Sequence, residues 1–146
     1  MTSPSSTTDV WHIGSTPLHS RFLLGTAGYP PPDVLRQAIE ASGSQVLTLG
    51  LKRTLAAPGG GDNGFVQIIR DTAQAHGAHL LPNTAGCRSA QEAITLAHMA
   101  RELLGTHWIK LEVVGDEQTL QPDPFELVAA AAQLIRDGFE VLPYCT

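Results

Sequence analysis

Trp108-Ile109-Lys110-Leu111-Glu112-Val113 is the stretch whose reading decides the fold. It is too short and too apolar for a surface helix and reads as a buried strand. Alternation along a strand puts Ile109, Leu111 and Val113 on one face and Trp108, Lys110 and Glu112 on the other. A parallel strand covered on both sides is normally apolar on both faces. Here one face carries two opposite charges, two residues apart. In a barrel, the apolar face meets the helices and the charged face enters the interior. Charges on the C-terminal half of such a strand are typical of catalytic groups. The competing explanation is an internal Lys–Glu ion pair, or an edge strand with one wet face.

Further strands of the same kind lie on either side, at Phe22–Leu24, Val46–Leu49, His79–Leu81 and Phe139–Leu142. Four segments with helical spacing separate them. Their apolar faces are Val34, Leu35, Ala38, Ile39 and Ser42; then Phe65, Ile68, Ile69, Thr72 and Ala73; then Ala93, Leu96, Ala97, Ala100, Leu103 and Leu104; then Leu127, Val128, Ala131, Leu134 and Ile135. Each helix ends in a glycine, at Gly43, Gly77, Gly105 and Gly138, a residue that adopts the left-handed conformation without a Cβ clash. Ser89 and Glu92 have capping-box spacing, and Asp123-Pro124 sets a capping acid before a proline at the first helical position. The chain thus reads β-α-β-α-β-α-β-α-β with a repeat of roughly 30 residues.

Such alternation demands a parallel α/β sheet. It is either open and doubly wound or part of a (β/α)8 TIM barrel. Gly25-Thr26-Ala27-Gly28 after the first strand lacks the third glycine of a dinucleotide fingerprint, which weakens the first alternative. A full barrel needs about 250 residues. At 146 residues, four βα units plus a fifth strand make about half of one. Residues 1–20 read as a flexible N-terminal extension, because Met1 to Asp9 holds six Ser or Thr and a proline. Val10 to Ile13 could add a short extended piece. The barrel portion is assigned to residues 21–146.

Composition narrows the function. Nine Lys and Arg against fourteen Asp and Glu give a net charge of -5, which argues against a nucleic-acid binder. No apolar run approaches a membrane span, and no basic region followed by an apolar stretch marks a secretory signal. Two cysteines, Cys87 and Cys145, offer neither a disulfide framework nor metal spacing, so the cytoplasm is the expected compartment. The histidines are scattered without a ligand motif, and no metal is expected. Pro58 to Gly64 is glycine-rich but lacks the Walker lysine, so a phosphate cradle of that type is not expected.

Lys110 and Glu112 remain as the candidate chemistry. A partly desolvated lysine amine attacks a carbonyl to form an imine, and a glutamate on the same face moves protons on the adduct. Other strand ends add polar groups on the same rim: Gly25, Thr26 and Gly28; Lys52 and Arg53, which could hold an anion or simply be solvated; Asn83, Thr84 and Gly86; Tyr144 and Cys145. Cys87 and His98 read as packing or surface residues.

These motifs, in order, resemble the thiazole synthase of bacterial thiamin biosynthesis. The matching stretches are Leu24-Gly25-Thr26-Ala27-Gly28-Tyr29, Glu40-Ala41-Ser42-Gly43-Ser44-Gln45, Leu81-Pro82-Asn83-Thr84-Ala85-Gly86, Trp108 to Val113, Leu120-Gln121-Pro122-Asp123-Pro124 and Val141-Leu142-Pro143-Tyr144-Cys145. The resemblance implies a transferase that joins 1-deoxy-D-xylulose 5-phosphate, dehydroglycine and the sulfur of a thiocarboxylated carrier protein into a thiazole phosphate. It implies that Lys110 forms the imine and Glu112 is the acid–base group. It also implies a homo-oligomer with no cofactor or metal of its own. In that family the chain continues past the Pro-Tyr-Cys motif. The remainder holds a second acid–base aspartate and the glycine loops that grip phosphate. Impaired catalysis is therefore expected of this chain alone. A non-catalytic half-barrel, an interaction module and a generic imine-forming aldolase are the alternatives.

Overall fold

The computed structural model describes residues 9–27, 29, 32–52 and 64–146. Residues 1–8, Gly28, Pro30, Pro31 and 53–63, which hold Arg53 and all but the last residue of the glycine-rich Pro58 to Gly64 stretch, lie outside the described residues. In chain order the elements are β1 (Trp11–Ile13), β2 (Thr16–Leu18), β3 (Leu23–Gly25), α1 (Pro32–Ser42), β4 (Val46–Gly50), α2 (Gly64–Ala75), β5 (His79–Asn83), α3 (Ala90–Leu104), β6 (Trp108–Leu111), α4 (Pro124–Arg136) and β7 (Glu140–Pro143).

Strands β3 to β7 form one parallel sheet in the order β3-β4-β5-β6-β7. A right-handed crossover that steps one place in the same direction each time puts every helix on the same face. The core shows that result. Leu24, Leu47, Leu49, Leu80, Ile109 and Leu111 from alternate strand positions pack with Leu35 and Ile39 of α1, Ile69 of α2, Ala97 and Ala100 of α3, and Leu127 and Leu134 of α4. A doubly wound sheet requires a reversal of strand order, and the described strands contain none. The expected α/β repeat, with its parallel five-stranded sheet and four helices, is present.

Local chemistry explains the boundaries. Gly43, Gly77, Gly105 and Gly138 all have positive φ, between 59° and 84°. Ser89 caps α3 by accepting from the amide of Glu92 at 3.2 Å. The Glu92 carboxylate reaches back to the Arg88 amide, at 2.8 Å, one residue further than a standard capping box. The Asp123 carboxylate accepts from the amides of Phe125 and Glu126, and Pro124 occupies the first turn of α4.

The N-terminal reading needs correction. Trp11 to Leu18, expected to lie in a loose extension, folds as an antiparallel hairpin. Its two-residue turn is Gly14-Ser15, with Gly14 at φ 55°. Ile13 and Leu18 are buried against Val46, Leu81 and Trp108, on the sheet face opposite the helices. The hairpin therefore covers a second apolar cluster, built on residues in the first half of their strands.

Candidate active site

The sheet register places Gly50, Asn83, Lys110 and Leu142 in one row. Alternation turns this row away from the helices, toward the face carrying Trp108. Trp108 is buried below it and stacks on His79 at 4.8 Å. Glu112 stands two residues beyond Lys110, just past the end of β6. Lys110 Nζ and Glu112 Oε1 are 3.0 Å apart. The Lys110 side chain is 41% exposed and that of Glu112 18%. The two predicted groups are thus brought together, on an apolar floor and within reach of solvent.

Thr84, on the loop after β5, is fully buried. Its amide donates to the Lys110 carbonyl at 3.2 Å. Its hydroxyl accepts from the Glu112 amide at 2.7 Å and donates to the Glu112 carbonyl at 2.8 Å. Asn83 Oδ1 accepts from the Ala85 amide at 3.2 Å. Thr26 is spent on backbone: its amide and hydroxyl both donate to the Thr48 carbonyl.

Lys52 is occupied rather than held ready for an anion. Its ammonium pairs with Glu92 and donates to the Gly86 carbonyl at 2.7 Å. The Lys52 contact, then the Arg88 amide, pulls the Glu92 carboxyl below its ordinary range. Cys87 is buried, and burial pushes its thiol up to about 11, which suits a packing role. Cys145 and Tyr144 are exposed. His98 lies far from the Lys–Glu pair, in a surface network. It meets Asp137 at 2.9 Å, Arg101 at 2.8 Å and the edge of the Phe139 ring. Among the described residues, no group of three or more His, Cys, Asp or Glu could hold a metal ion.

Sequence reasoning missed the order in the loop between Glu112 and Asp123. Val114 bridges Pro122, and the Asp116 carboxylate accepts from the amides of Gln118 and Thr119. Those bonds, the Thr119 amide first, hold its carboxyl below the ordinary carboxylate pKa. Glu117 pairs with Arg88, tying the loop to the N-terminus of α3. An aspartate two residues ahead of such amides is the signature of an Asx turn, and that was the available signal.

A parallel α/β sheet with a lysine–glutamate pair at the C-terminal end of a strand defines the general class. Comparison with known proteins gives the family. The profile of the thiazole biosynthesis protein ThiG matches residues 12–146, and the chain belongs to that family. Thiazole synthase from Coxiella burnetii is 52% identical over 137 residues, 94% of this chain and 51% of its own length. Thiazole synthase from Variovorax paradoxus is 57% identical over 130 residues, 88% of this chain and 46% of its own length. The chain therefore spans about half the length of these relatives. In the Amycolatopsis orientalis BexX/CysO complex, one chain superposes with a TM-score of 0.70 at 24% identity. The match covers 92% of this chain and 52% of that one, and shows a shared fold. No helix among the described residues is long and apolar enough to cross a membrane.

Proposed function

We propose that this chain is the imine-forming half of a thiazole synthase (β/α)8 barrel. In this reading Lys110 attacks the carbonyl carbon of 1-deoxy-D-xylulose 5-phosphate. The amine adds, water leaves, and a C=N bond forms. Glu112 accepts and returns the protons of that exchange. Dehydroglycine and a thiocarboxylated carrier protein are the further reactants, with thiamin biosynthesis in the cytoplasm as the setting. The observation that carries the reading is the 3.0 Å Lys110–Glu112 contact on the face away from the helices.

The half-barrel reading rests on the flank of α4. Leu127, Ala130 and Leu134 face the sheet, and the Glu126 carboxylate reaches the Ala90 amide of α3 at 2.6 Å. On the opposite flank Phe125, Val128 and Ile135 are exposed at 86%, 67% and 61%. An apolar stripe of this kind is what a following βα unit would cover. Relatives twice as long would supply that unit together with the phosphate grip.

The test is borohydride trapping. Hydride reduces the imine to a stable secondary amine, detected as a mass increment on the peptide containing Lys110. Wild-type chain with the ketose phosphate is expected to give the adduct, and Lys110→Ala none. An adduct on another lysine, or none at all in folded chain, overturns the reading. Release of a two-carbon aldehyde phosphate and hydroxyacetone by C3–C4 cleavage, with no thiazole when all reactants are present, would select a generic imine-forming aldolase instead.

A further inference from the structure

We infer that Thr84 is a positioning residue for the Lys110–Glu112 pair; this rests on the imine reading of that pair. The ladder between β5 and β6 ends at the level of Asn83 and Lys110. Beyond it, Thr84 continues the pairing by other means. Its amide takes the Lys110 carbonyl, and its hydroxyl takes both backbone groups of Glu112. A hydroxyl is suited to this because it donates and accepts at one atom. Thr84 is fully buried, so water does not compete for these bonds.

The consequence for chemistry is geometric. Glu112 lies past the last residue of β6, between the Leu111 carbonyl, which accepts from the Tyr144 amide, and the Val114 amide, which donates to the Cys87 carbonyl; at Glu112 itself the strand ladder has ended. Its carboxylate reaches Lys110 Nζ only if its backbone stays in strand register. At Glu112 one buried hydroxyl takes both backbone groups, through bonds of 2.7 and 2.8 Å, and so fixes the one residue that its flanking anchors leave to it. Displacement of a reacting group by about 1 Å costs up to about a hundredfold in rate.

The experiment compares wild type, Thr84→Val and Thr84→Ser, with Glu112→Gln as reference. Each is followed by the rate of borohydride-trapped adduct from the ketose phosphate across pH, and by amide hydrogen exchange. Thr84→Val keeps the side-chain shape and loses the hydroxyl. Its trapping rate is expected to fall between about tenfold and a hundredfold, with a pH profile shaped like that of Glu112→Gln. Thr84→Ser keeps the hydroxyl and should retain the wild-type profile. A purely structural role would lower the yield of folded protein and leave the profile of the folded fraction unchanged, which would overturn the inference. A wild-type chain that gives no adduct defeats the imine reading separately. In that event, or if Thr84→Val does not fold, exchange at the Glu112 amide decides. It should be protected in wild type and Thr84→Ser. Exchange as fast as in a free peptide in wild type overturns the inference.

Discussion

Truncation of Leu18 tests the hairpin, the element that the polarity of the N-terminal region concealed. Leu18 is fully buried, and Ile13, Val46, Leu81 and Trp108 complete its cluster. Leu→Ala at a buried site costs about 2–5 kcal/mol, as lost transfer energy plus the cavity left behind. The hairpin has only three residues per strand and can settle partway onto the sheet. That places Leu18→Ala in the lower half of the range, at about 3 kcal/mol. Against a total stability of about 5–15 kcal/mol, such a loss is easily measured. The assay is urea unfolding followed by tryptophan fluorescence. The chain has two tryptophans. Trp108 lies in this cluster, and Trp11 packs against it while donating to the Ser20 carbonyl at 2.9 Å. The variant should unfold at lower urea with an unchanged slope. Phe125→Ala, at an 86% exposed position, should stay within about 0.5 kcal/mol of wild type. A Leu18→Ala loss below about 1 kcal/mol would refute the placement of the hairpin in the cooperative core.

Two further outcomes follow from charge and burial. The Glu92 carboxyl is held below its ordinary value near 4.5, mainly by Lys52. A depressed folded pKa means that its stabilisation is complete above 4.5 and is lost as pH falls through the lowered value. Glu92→Gln should therefore cost stability at neutral pH, by no more than about 1 kcal/mol for so exposed a pair. The gap from wild type should close in acid, and a gap that persists at pH 2 in urea titrations would contradict this assignment. For Cys87, a thiol raised to about 11 is almost wholly protonated at pH 8. Colorimetric thiol titration at that pH should find one fast equivalent per chain, from exposed Cys145, and a second only in denaturant. Two fast equivalents in the native chain would show that Cys87 is accessible.

Legibility followed the range of the interactions involved. Gly43, Gly77, Gly105 and Gly138 punctuate helices because left-handed φ is a property of the residue itself, so the repeat could be read directly. The Asp123-Pro124 cap is equally local. The two-faced character of Trp108 to Val113 needs only strand alternation, and it set Lys110 beside Glu112 correctly. The hairpin was obscured by its polar surroundings. Yet Trp11, Ile13, Thr16 and Leu18 flank Gly14-Ser15, a two-residue loop with glycine at its first central position. The fate of Lys52 could not be read at all. Its partner Glu92 lies in α3, forty positions further along the chain, and only the parallel register brings the segment after β4 beside the start of that helix. Thr84 was visible as a polar group on the rim. That its hydroxyl would bind the backbone of Glu112 depends on where the β5–β6 ladder stops.

The position of the pair within the sheet bears on why chemistry would arise there. The row containing Lys110 offers Gly50 and Asn83 on one side and Leu142 on the other. Glycine contributes no side chain, and a Cβ there would lie 3.7 Å from Asn83 Oδ1. Leucine contributes only apolar surface. Lys110 is therefore the one ionisable group in that row, and Glu112 is its nearest opposite charge. Below them the face is closed by Trp108, Leu81 and the hairpin residues Ile13 and Leu18. Trp108 is 3% exposed and Leu81 fully buried, so the floor beneath the pair is apolar and fixed by packing. A hairpin that shuts the opposite end of the sheet is in this sense part of the site. On the imine reading proposed above, Leu18→Ala should then loosen the floor under Lys110 and lower borohydride trapping there even in molecules that remain folded, and trapping measured alongside urea unfolding would separate that effect from simple loss of native chain.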